Sequence, residues 1–135
     1  MQRNRDPVGW VYRGLVAVVF IAFGLDKFGG GSDSEWVRIF ARIGFGQWFR
    51  VATGVIEITG AVLYVFPWTL RVGTVLLSGT MLGAILAHFT RLGDPFSSII
   101  PAALLAAVVI VALREPPVDI KQLMQSGRDR ARAPH

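Results

Sequence analysis

RVATGVIEITGAVLYVF, residues 50–66, is an apolar segment of membrane-spanning length with one carboxylate, Glu57, near its middle. An ionisable group at bilayer depth costs at least about 2.5 kcal/mol, so it needs a partner and marks a candidate functional site. Thr53, Gly54, Gly60, Ala61 and Tyr64 lie three, four or seven residues from Glu57 and share its helix face, and most of them are small. Such a face lets a second helix approach closely. Val55, Ile58, Val62 and Phe66 occupy the opposite face and suit lipid or an apolar neighbour. The carboxylate therefore points into a helix bundle. There it either serves chemistry or, protonated, hydrogen-bonds between helices and holds them together.

Working outward, composition agrees with a bundle in lipid. The chain has 135 residues, 53% of them hydrophobic and only 17% charged, too few charges to cover a soluble domain of that hydropathy. The net charge of +5 does not indicate nucleic acid, because the basic residues flank apolar runs and do not cluster on one solvated face. With no cysteine, disulfide, thiol-redox and cysteine-ligated metal chemistry are excluded within the chain. Haem, flavin and nicotinamide motifs are absent too, so a redox role depends on a bound quinone or on a partner protein.

Around residues 50–66 the pattern predicts an all-α membrane domain over 8–113, with spans at 8–28, 50–66, 72–89 and 97–113. A polar leader, 1–7, precedes it, and Pro7 suits the first turn of a helix. The first apolar run is read as a span and not as a cleavable signal, because Gly29-Gly30-Gly31 leads into an aromatic, basic segment without a small-residue cleavage pattern. In that segment Trp36, Ile39, Phe40 and Ile43 recur at helical spacing, while Glu35, Arg38 and Arg42 fall on other faces. This predicts a short amphipathic helix over 34–46, lying in the interface or packed over the bundle mouth. Pro67-Trp68 and Gly93-Asp94-Pro95 mark the later turns. Gly54, Gly60, Gly79 and Gly83 are the expected helix-packing positions, within one chain or between copies of it. The basic tail, 114–135, is expected to hold a short helix over 118–124 and to be disordered at its end.

Nine of the fourteen basic residues fall on the side of the termini, which favours both termini in the cytoplasm. On the other side, Lys27 and His88 sit in the last turns of the first and third spans, and the long stem of Lys27 can reach inward. Lys27 is therefore the first expected partner of Glu57, and His88 the second. Arg13 is expected to snorkel to headgroups at the opposite end. A second histidine occurs only at the terminus, His135, so no histidine-rich metal site is available and no metal is expected. Lys, Glu and His near one mouth suit proton exchange, or hydrogen bonding to a polar head such as the carbonyls of a quinone.

These residues together resemble the DoxX family of small four-span bacterial membrane proteins. Gly24-Leu25-Asp26-Lys27-Phe28 is similar to the family's ending of the first span, and Gly54-Val55-Ile56-Glu57-Ile58-Thr59-Gly60 to its glycine-flanked glutamate. Arg71-Val72-Gly73 and Met81-Leu82-Gly83-Ala84-Ile85-Leu86-Ala87-His88 are similar to its third span, and the likeness covers about 8–113. The resemblance implies a bacterial inner-membrane protein, an accessory or quinone-interacting subunit of a membrane oxidoreductase system. It implies Lys27, Glu57 and His88 as a quinone-head or proton site, with partner proteins in a membrane complex; lipid and a second copy of the chain are the neighbours expected from the spans and their small-residue stripes. An assembly subunit without chemistry, and a proton or small-solute carrier, are the alternatives.

Overall fold

The computed structural model describes residues 7–114. Residues 1–6 of the leader, 115–135 of the tail and with them the helix expected over 118–124 lie outside the described residues. Five α-helices follow one another: α1 (Pro7–Asp26), α2 (Glu35–Ile43), α3 (Gln47–Val65), α4 (Leu70–Ala87) and α5 (Ile99–Arg114). A π turn, His88–Leu92, extends α4, and a short 3-10 turn, Pro95–Ser98, leads into α5.

The helix ends follow from local chemistry. α2 stops earlier than expected because Gly44 takes φ 90° and returns its N–H to the Phe40 carbonyl, a left-handed cap open to glycine. α3 begins at Gln47, three residues before Arg50, because Gly46, with φ 85°, ends the turn after α2 and frees the following residues to wind. Before α5, the Asp94 carboxylate accepts the Ser97 N–H at 3.4 Å and the Ser97 hydroxyl at 2.5 Å, and Pro95 fills the first position of the turn.

Buried positions recur at helical spacing: Arg13, Ala17, Phe20 and Gly24 on α1, Gly54, Glu57, Gly60, Ala61 and Tyr64 on α3, and Leu70, Gly73, Leu77 and Met81 on α4. These stripes close on one core, formed with Val108 of α5, in which the Tyr64 hydroxyl donates to the Val108 carbonyl at 2.9 Å. α3 packs between α1 and α4, α5 packs on α4, and a smaller contact of α5 with α1 completes the four-helix bundle.

Glycine sets the two closest approaches. A Cβ on Gly54 would lie 3.0 Å from the Gly24 carbonyl oxygen, and one on Gly73 would lie 2.5 Å from the Tyr64 nitrogen and 2.7 Å from the Gly60 oxygen. Gly54 and Gly60 thus lie where neighbouring helices come close. At Gly79 and Gly83 a Cβ meets nothing within 4 Å among the described residues, because α4 turns that face away from α3 and α5. Gly73, in the first turn of α4, takes the role instead.

The outer surface carries large apolar side chains, among them Val11, Leu15 and Val18 on α1, Val55 and Val62 on α3, Val75 and Leu82 on α4, and Ile100 and Ile110 on α5. Four helical segments, Pro7–Asp26, Gln47–Val65, Leu70–Leu92 and Pro95–Arg114, are long and apolar enough to cross a membrane. Their exposed faces are solvated by lipid, which makes the chain a multi-pass membrane protein.

Candidate functional site

α2 lies across the mouth formed by the end of α1, the start of α3 and the end of α4. Its apolar stripe faces protein: Phe40 and Ile43 are buried with Leu92 of the π turn, and Trp36, Ile39, Phe49 and Ala87 pack around them. Arg42 donates to the Leu92 carbonyl, and the Gln47 amide donates to the Val37 carbonyl at 3.0 Å. Of the two placements open to this helix, the structure takes the one over the bundle mouth.

Beneath α2 is the candidate site. The Gly24–Gly54 approach draws the end of α1 against α3. Lys27, three residues nearer the mouth than Gly24, reaches Glu57, three residues deeper than Gly54. Lys27 Nζ donates to Glu57 Oε2 at 2.6 Å, and the two side chains are only 6% and 4% exposed. At about 1.5 Å per residue, Glu57 lies roughly 15 Å along α3 from its first residue, close to the middle of the span. Both groups are nearly fully covered by protein. A buried pair of opposite charge at hydrogen-bond distance is the way such groups are tolerated in an apolar bundle.

The cover over the pair is aromatic. Lys27 Nζ lies 4.2 Å from the centroid of the Trp36 ring, within cation–π range. The Trp36 indole N–H donates to Asp26 Oδ2 at 2.5 Å, which fixes the ring's rotation. Phe23 meets Trp36 edge-on at 6.5 Å, and Phe40 and Phe49 continue the contact chain along α2 and onto α3. Arg50, on the first turns of α3, donates to the Lys27 carbonyl and ties the end of α1 to α3.

His88 is not placed with the pair. It heads the π turn, half-buried, with its Nδ1 buried and without a hydrogen bond, and its carbonyl accepts the Asp94 N–H at 3.3 Å. Its electrostatic neighbour is Asp94. Hydrogen bonding from Ser97, with a smaller contribution from His88, holds the Asp94 carboxyl below its ordinary value. No group of three or more His, Cys, Asp or Glu suited to a metal occurs among the described residues.

Arg13 lies at the opposite end of α1 from Lys27. It is buried, its guanidinium 4.6 Å from the Trp10 ring centroid and its Nε donating to the Gly9 carbonyl at 3.3 Å. It shares the inward stripe with Ala17, Phe20 and Gly24, and its contacts with Gly9 and Trp10 run the side chain back along α1 toward the start of the span.

Three contributors were not singled out from sequence: Asp26, Arg50 and Trp36 in its role as a cover. The helical spacing of Trp36 was legible, but its target, nine residues back across a glycine turn, was not. For Asp26 and Arg50 the signal was their adjacency to the ends of spans, where polar side chains are ordinarily read as interfacial.

A four-span helical membrane protein with a lysine–glutamate pair buried beneath a mouth helix is the class these features define. The model of the DoxX-like family matches residues 11–111, and the chain belongs to that family. No curated protein and no solved structure matches it.

Proposed function

We propose that the chain is a quinone-interacting or accessory subunit of a bacterial inner-membrane oxidoreductase system, with Lys27 and Glu57 as its headgroup or proton site. The observation that supports this reading is the 2.6 Å Lys27–Glu57 pair, set beneath the helix over one mouth of the bundle with Lys27 beside the Trp36 ring. The donor set suits a quinone head: an ammonium donates to a carbonyl, and a carboxyl group gives or takes a proton. A quinone would supply the electron chemistry, while Lys27 and Glu57 would bind and orient its polar edge. Both termini face the cytoplasm in this reading, as the distribution of basic residues favours, and partner proteins supply the rest of the electron path.

One observation favours a second reading. The pair is nearly fully covered and the two groups satisfy each other, as in a purely structural ion pair of an assembly subunit. Quinone titration of the purified protein separates the two. Under the headgroup reading, Lys27→Met with Glu57→Leu abolishes binding while the protein stays folded; binding that survives the double change leaves the pair a packing device.

A further inference from the structure

Taking the pair as the headgroup site proposed above, we infer that α2 is its gate: a helix that swings as a unit on glycine hinges to admit a ligand from the interface at the mouth. Lys27 and Glu57 are too well covered for any headgroup to touch them in this conformation, and α2 carries the aromatic part of that cover. Of the four glycines with positive φ among the described residues, three flank this helix: Gly30 at 87° before it, and Gly44 at 90° and Gly46 at 85° after it. Hinge motion is absorbed at a few such element-terminal positions.

The helix is also the element most easily released. A nine-residue helix is marginal by itself and depends on packing for its stability. Its packing is one small cluster, Phe40, Ile43 and Leu92 with their neighbours, separate from the main core of the bundle. Three polar ties complete the closure: Trp36 to Asp26, Gln47 to the Val37 carbonyl, and Arg42 to the Leu92 carbonyl. Elements of this kind, with a small apolar contact and few ties, open at lower free energy than the helices beneath them. Trp36 links the cover to the site directly, so rotation of α2 about its hinges removes the indole from Lys27 and bares the ammonium.

Arg42 gives a lever remote from Lys27. It is exposed and ties the last turn of α2 to the end of the π turn, so its loss reaches Lys27 only through movement of the helix. The test is the rate at which Lys27 is acetylated by a water-soluble amine reagent in lipid nanodiscs, read by peptide mass spectrometry. Arg42→Gln should raise that rate about fivefold or more, the change expected when a charge-assisted hydrogen bond is removed from one side of a two-state equilibrium. Ile43→Cys with Leu92→Cys, joined by a short thiol cross-linker in this otherwise cysteine-free chain, should suppress labelling below the uncross-linked rate. Labelling that ignores Arg42→Gln, or that proceeds unchanged after cross-linking, overturns the gate. Added short-chain quinone distinguishes the two levels: labelling that obeys the lever and the cross-link but is not slowed by quinone keeps the gate and removes the headgroup reading.

Discussion

Lys27 and Glu57 are coupled so closely that the cost of changing one is mostly the cost of stranding the other. Glu57→Gln leaves the Lys27 ammonium facing an amide in a covered site, and such a half-broken pair typically costs about 3–5 kcal/mol. Lys27→Met with Glu57→Leu removes both charges and should recover most of that loss, as judged by thermal unfolding in detergent; a double variant no more stable than Glu57→Gln would contradict the pairwise account. Asp94 behaves differently because it is exposed and outside the spans. Its carboxyl is held below its ordinary value, chiefly by Ser97, so its contribution to stability is present above the unfolded value near 3.8 and is lost as pH falls through the folded one. Asp94→Asn should therefore lose less stability than the wild type on acidification from pH 6 to pH 3, measured on the same unfolding transition. The Lys27 side of the pair was legible in the sequence, since it rests on depth and stem length. The place of His88 was not, because the direction a residue at the end of α4 faces depends on the rotation of that helix, which residue types do not announce.

At the scale of elements, α3 and α4 meet through backbone at Gly73 and Gly60. Gly73→Ala would set a methyl group within 2.7 Å of backbone atoms and should cost about 1–3 kcal/mol or more, with α4 displaced from α3. Gly83→Ala should be neutral or slightly stabilising, up to about 1 kcal/mol, because its Cβ meets nothing and alanine winds more readily. Unfolding of the two variants side by side checks the assignment; equal losses would place Gly83 in an interface between copies of the chain. Four small residues at helical spacing identified helices that can pack closely. Which of those faces pack was not in the sequence, because Gly73 and Gly83 look alike until the rotation of α4 is known. The helix over the mouth was legible from its apolar stripe, and its seat on protein became clear only with Leu92 and Phe49 in place.

At the scale of the whole molecule, the bundle is asymmetric. One mouth is closed by α2 and holds the ion pair beneath it, and the opposite end carries Arg13 against Trp10 and the Tyr64–Val108 hydrogen bond. Under the proposed function, this asymmetry offers a covered site to a mobile ligand at one mouth and leaves the rest of the surface to lipid and partner proteins. The measurement that tests this most directly is gentle detergent extraction of the protein from its native membrane, with identification of the lipid-soluble molecules and proteins that accompany it. The account predicts that quinone is recovered with the wild type and lost from the folded Lys27→Met, Glu57→Leu variant. Stoichiometric partner proteins without quinone, in both forms alike, would contradict it and leave Lys27 and Glu57 as a structural pair.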